Sequence, residues 1–356
     1  MKNKILTIFV AISVLALMLT SCSSSSASTA TSWGGATVTD SAVYFANGAQ
    51  VMALRLDNGA SIWTYPEKMV AARTFLAAPV LVGDQLILAD TGHLLTSINS
   101  RDGVTQNWQF TGAKGKYIDS PLVVGETLIA PNADKSLYGL DLQGSLLWTF
   151  TAENSFWAQP ASDGTLVFAP NFDHYLYAVD LATGEQKWKT DLKASLVARP
   201  TLVDGVLYIG NLDGDVFALD SAKGTILWET KVAGGVWAAP NFVEGQLYFG
   251  DQTGIINILK ADDGSVVDSI NVESAVIGSG AVVKDGIVFG KENGDIITIG
   301  FDGSNLGTKT VGGSIYSNLS INGNLFVVVA TKGANPLVAF DTDVKQSWVY
   351  TTSTKK

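Results

Sequence analysis

A single cysteine, Cys22, and two histidines, His93 and His174, are all the sequence holds of the residues that build disulfide frameworks, zinc clusters and Cys/His catalytic pairs. Counting alone excludes those chemistries. Charge is also scarce, with 16% charged residues against roughly 25% in an average domain. The balance is acidic, 23 Lys and Arg against 33 Asp and Glu, and the net charge of −10 leaves no basic surface for nucleic acid. No long Ala/Glu/Lys/Leu helical stretch occurs in the 356 residues. Glycine is abundant instead, 36 residues or about 10%, and strand-favouring Val, Ile, Thr, Tyr, Phe and Trp recur between the glycines. With 47% hydrophobic residues the chain is no disordered polymer, and an all-β fold is the expectation.

Residues 1–21 read as an address. Lys2 and Lys4 form a basic start, and Ile5 to Leu19 is an apolar run of signal-peptide length, short for a bilayer span. The run ends in Leu19-Thr20-Ser21-Cys22, which resembles the bacterial lipobox, in which the cysteine is lipidated and the preceding peptide removed. Residues 22–32 then comprise the lipidated Cys22 and a Ser/Ala/Thr tether too polar to fold. Removing residues 1–21 takes two lysines with it, so 21 basic residues face 33 acidic ones and the charge becomes −12. The chain is expected to be exported and lipid-anchored. In a two-membraned bacterium, Ser23 after the cysteine points to the periplasmic face of the outer membrane; in a one-membraned bacterium the anchor displays the domain at the cell surface.

The tryptophans expose an internal repeat. Trp63, Trp108, Trp148, Trp188 and Trp228 lie 45, 40, 40 and 40 residues apart, and Trp348 lies three further intervals of 40 beyond Trp228. Two repeats lack the ring and carry Asp268 and Gly307 in its place, which makes eight repeats. Each reads as a proline or its equivalent, a turn glycine, an alternating strand, a polar turn, a second strand, a glycine turn and a tryptophan strand. Four short strands per forty residues match one blade of a β-propeller, so residues 33–356 are predicted to form an eight-bladed propeller of four-stranded antiparallel blades. The six tryptophans are assigned to docking between blades, and the blades carrying Asp268 and Gly307 become the predicted soft spot of the ring.

The units Leu176-Tyr-Ala-Val-Asp180, Thr183-Gly184, Trp188 and Val216-Phe-Ala-Leu-Asp220, Lys223-Gly224, Trp228 resemble the tryptophan-docking repeat of the pyrroloquinoline-quinone-like propellers. That family contains quinoprotein dehydrogenases and also non-catalytic members, among them a propeller lipoprotein of the outer-membrane β-barrel assembly machinery. The resemblance implies a scaffold more than an enzyme. Alcohol-type quinoproteins clamp their cofactor with adjacent cysteines, and here the sole cysteine sits in the lipobox. The expectation is therefore no catalysis, no cofactor and no metal.

Topology nominates a face. In a four-stranded antiparallel blade, the turn after strand two and the connection to the next blade emerge on the same side of the disc. The position three before each proline, or its equivalent, is Trp33, Leu76, Ile118, Trp157, Val197, Trp237, Ile277 and Tyr316, an apolar ring placed at the channel mouth on that side. The position just before the proline is small or polar, with Arg199 the outlier. Two readings of the ring stand: side chains that plug the channel, or a partly exposed patch for a partner, as aromatic-rich interface centres are. Arg199 reads either as a solvated channel residue or as an anchor for a partner carboxylate. Trp33, Trp157, Trp237, Arg199 and Tyr316 are thus the candidate partner-binding residues. The run Asn211-Leu-Asp213-Gly-Asp215 has oxygen ligands at calcium-like spacing but also the form of a hairpin turn, and His93 and His174 read as surface turn residues.

The leading expectation is a lipid-anchored, non-catalytic, monomeric propeller that binds envelope protein partners. The alternative is a surface receptor for a small molecule or glycan at the channel mouth, and a quinone-dependent dehydrogenase ranks last.

Overall fold

The structure is a computed structural model that describes residues 34–70 and 72–351. The signal-peptide and lipid-anchor assignments around Cys22, and the Trp33 position of the apolar ring, lie outside the described residues. Within them the chain forms eight four-stranded antiparallel sheets and no helix. Each sheet is built from consecutive strands, so the blades occupy residues 36–65, 80–110, 122–151, 161–191, 201–231, 241–271, 281–310 and 320–350. The eight-bladed all-β propeller read from the tryptophan spacing is what the chain forms.

Strands two and three of each blade are its buried heart. Leu166–Pro170 and Tyr175–Asp180, for example, carry four buried residues each, because neighbouring blades cover both faces of the sheet. The outermost strand is largely exposed, with each tryptophan buried or half-buried, while Asp268 and Gly307 at the equivalent position are exposed. In every blade its pairing with strand three slips by one residue just before that position, as between Ala178 and Val179 opposite Trp188 and Gln186. Such a bulge increases local twist and re-aims the side chain. The aim is toward the next blade.

Each tryptophan makes the same three contacts. Its indole nitrogen donates to a backbone carbonyl of the following blade: Trp63 to Ser100, Trp108 to Leu142, Trp148 to Leu181, Trp188 to Ser221 and Trp228 to Ala261, at 2.8–3.1 Å. Its ring lies on the glycine of that blade's last turn, where a Cβ at Gly224 would stand 2.5 Å from Trp188 and one at Gly184 2.8 Å from Trp148. Its strand-three partner is small: Ala53, Ser97, Gly139, Ala178, Ala218 or Ala339. Trp348 closes the circle by donating to Leu56 O at 2.7 Å and lying on Gly59 of the first blade.

Where the ring is missing, its surroundings have changed with it. Opposite Asp268 stands Ile258, whose Cδ1 would lie 3.6 Å from a Cβ at Gly303, and opposite Gly307 stands Thr298; both are larger than the Ala, Gly or Ser that face the tryptophans. The last-turn residue facing Gly307's blade is Val344 instead of glycine, held at φ +59°. With no indole to seat, this turn has no steric need for a missing Cβ.

Candidate functional site

The connections between blades build the channel mouth. Each runs past the strand two to three turn of the preceding blade and is stitched to it by backbone bonds, such as Phe156 N to Asn132 O and Leu196 N to Asn171 O, both 3.1 Å. The turn residues Asn132, Asn171 and Asn211 are fully buried, and each donates its side-chain amide to a carbonyl of the connection that precedes its own blade, at Gly115, Asn154 and Leu192. These turns therefore fix the connections from within. His93 and His174 sit at φ +71° and +77° in such turns, the left-handed position that Gly214, Gly254 and Gly294 fill in other blades.

Past the stitch the connection alternates like a strand. Phe156 and Ala158 point into the blades and are buried, while Trp157 and Gln159 keep partial exposure. The same alternation places Leu196 and Ala198 inside, with Val197 and Arg199 facing the lumen. As a result Leu76, Ile118, Trp157, Val197, Trp237, Ile277 and Tyr316 come together around one cavity of about 290 Å³. Its deeper wall is Asp119, Ser120, Gln159, Arg199 and Asn318. A second cavity of about 590 Å³ continues between the innermost strands and shares Arg199, Asn318 and Leu319 with the first. Arg199 and Asn318 thus stand at a waist between two vestibules.

The aromatic residues are neither a solid plug nor a bare patch. Trp157 and Trp237 are half-buried, and Trp157 lies against Phe172 with ring centroids 4.5 Å apart. Tyr316 donates its hydroxyl to Glu292 at 2.9 Å; burial first, and this bond second, push its pKa upward.

The polar residues of the waist mostly clasp neighbouring blades. Ser120 Oγ donates to Ala78 O at 2.9 Å, Gln159 Nε2 to Pro121 O at 2.8 Å, and Asn318 Oδ1 accepts from Ser279 N at 2.8 Å. Asp119 accepts from the backbone N–H of Ser120 and Gln159, at 2.7 and 2.8 Å. Burial nevertheless raises its pKa, against the pull of these bonds and of Arg199. Arg199 is different. Among the described residues its guanidinium makes no hydrogen bond or ion pair, and it is exposed to the channel. Desolvation by the surrounding wall lowers its pKa, with Asp119 opposing across the lumen.

The sequence profile described as outer membrane protein assembly factor BamB matches residues 20–149 and 133–281, more than half of the chain. This chain belongs to that family. No curated protein matches the sequence. Among solved structures, BamB from Moraxella catarrhalis superposes with a TM-score of 0.74 at 15% identity, covering 86% of this chain and 95% of that one. A computationally designed protein, Ika8, superposes with the same TM-score at 14% identity and the same coverage. At these identities the likeness is one of fold.

Of the BamB-family chain's candidate residues, Trp157, Trp237, Arg199 and Tyr316 are brought to one cavity. Arg199 borders this cavity and the second one that continues from it, and stays exposed to the lumen. The calcium-like run is a turn: Asn211 Oδ1 accepts from Asp213 N and Asp215 N, and Asp215 pairs with Lys231 at 3.1 Å. Sequence reading passed over Asp119. The signal was present, since two before the proline the other described blades carry only Ala, Gly or Ser, at Ala77, Ala158, Ala198, Ala238, Gly278 and Ser317.

Proposed function

We propose that this chain is a non-catalytic envelope scaffold of the assembly-factor type, anchored by lipid on Cys22 and gripping a protein partner with the connection face of its propeller. The observation that carries the reading is the convergence of half-buried Trp157, Trp237 and Tyr316 around a lumen-exposed Arg199. Aromatic side chains with arginine near the centre of a concave patch are what interface hot spots are made of. Membership of the BamB family supports a protein as the partner class. The lone cysteine at the lipobox supports anchorage, and leaves no adjacent-cysteine clamp for a quinone.

The test is affinity capture from solubilised envelope membranes of the source bacterium, comparing wild type with the Trp157→Ala/Trp237→Ala/Arg199→Ala variant. A partner held by wild type and lost by the folded variant is the expected result. Equal retention by both would place the interface elsewhere. Metabolic labelling with a palmitate analogue tests the anchor, with incorporation expected in wild type and absent in Cys22→Ala.

A further inference from the structure

The eight repeats supply an internal control for each channel residue. At the position before the proline, Ser120, Gln159 and Asn318 use their side chains to clasp adjacent blades. Arg199 occupies the equivalent place and clasps nothing among the described residues. Its cation stands at the waist of two joined cavities of about 290 and 590 Å³, within the size range of small-molecule sites. Arg199 is exposed to the lumen, so its five donors meet only water there, and a carboxylate that replaces this water can take two of them at once. Above it the wall is apolar, formed by Val197, Trp157, Trp237 and Ile277. Beside it Asn318 lines both cavities; its oxygen is engaged, and its amide nitrogen donates to nothing among the described residues.

We propose that the channel waist at Arg199 binds a carboxylate carried on an apolar body, with the charge on Arg199 and Asn318 and the body against the Trp157 and Trp237 wall. The chemistry is that of a free aryl or alkyl monocarboxylic acid, and equally that of an apolar C-terminal residue of a polypeptide. A guanidinium fork matches a carboxylate bidentately. One charge is the limit. Asp119 faces the same lumen with both oxygens already accepting backbone N–H groups, so a ligand with two or three carboxylates meets a carboxyl that cannot turn away.

This inference rests on the residues of the proposed partner interface and deepens that reading, and titrating the isolated protein separates the two: acid binding that fails while the partner is still captured overturns the inference alone. Calorimetric titration of the full-length protein at pH 7 with 4-phenylbutyrate and with N-acetyl-Leu-Phe provides the two source arms. The corresponding amides, 4-phenylbutanamide and N-acetyl-Leu-Phe-amide, are the neutral controls. Binding of at least one acid is expected, with its amide weaker by roughly 10- to 100-fold, the range for a charge-assisted hydrogen-bonded pair. The tighter acid identifies the source. Arg199→Met, which keeps an apolar stem in place, is expected to lose the preference for acid over amide. Asp119→Asn is expected to bind the acid several-fold more tightly, and it reports on the site should Arg199→Met unfold. Equal affinity for acid and amide, no heat with either acid to about 20 mM, or an unchanged acid preference in Arg199→Met would overturn the proposal.

Discussion

The seat of each indole on a turn glycine makes a strong, checkable demand at Gly224. Its φ is +69° and an added Cβ would stand 2.5 Å from Trp188 Cε3. Two costs arise in Gly224→Ala. The left-handed backbone costs roughly 1–2 kcal/mol for an L-residue, and the overpacked contact adds about 1–3 kcal/mol as the ring is driven from Ser221 O. Gly245, at φ +80° with nothing within 4 Å of its added Cβ, measures the first cost alone, so Gly245→Ala is the control. Trp188→Ala removes a ring stacked on Phe168 at 5.8 Å and a 3.1 Å hydrogen bond, and is expected to cost about 3–5 kcal/mol. In the double variant the alanine no longer meets the ring. Its cost should therefore fall short of the sum of the singles by about 1–2 kcal/mol, the scale of coupling between touching residues. Urea unfolding followed by circular dichroism supplies all four midpoints. Gly224→Ala costing no more than Gly245→Ala, or strict additivity in the double variant, would refute the docking argument.

Three further outcomes follow from the same geometry. Val344 stands at φ +59° but packs on the core beside Phe326 and Phe340, so Val344→Gly, which relieves the backbone and loses that packing, should shift urea unfolding by less than about 1 kcal/mol, and a larger loss would mean that packing outweighs the strained backbone. Arg73 and Asp90 form a 2.6 Å pair in which the carboxylate is fully buried; Asp90→Asn keeps the turn bonds to Gly92 and Leu94 but strands the cation, and should cost about 3–5 kcal/mol by thermal unfolding. Asp119's pKa is raised by burial, so the native state binds the extra proton: its contribution is full below the ordinary carboxylate value and is lost as pH rises toward the raised one. Unfolding midpoints from pH 3.5 to 8 should show wild type losing stability relative to Asp119→Asn with rising pH, and a constant difference would remove the assigned burial.

Much of this was legible in the sequence because the fold is one sentence repeated. Spacing of 40 residues fixed blade number, and strand alternation around each proline put Trp157, Trp237 and Tyr316 on a common ring before any coordinates. That Arg199 borders two cavities was not legible. It depends on the last two connection residues descending into the lumen, which spacing cannot report. The surroundings of the soft spot expected at Asp268 and Gly307 were not legible either: Ile258 reaches to 3.6 Å from a Cβ at Gly303, whereas a Cβ at Gly307 meets nothing within 4 Å. Amide exchange is the check, with fastest exchange expected in these two blades and uniform protection across all eight contradicting it.

The account rests most heavily on which side of the disc meets a partner. A photo-crosslinking amino acid placed in the source cells at Glu153 or Tyr316, on the connection face, should trap an envelope protein, whereas the same group at Thr183 or Asp263, in the opposite turns, should trap none. Crosslinks confined to Thr183 and Asp263, or equal from both faces, would contradict it.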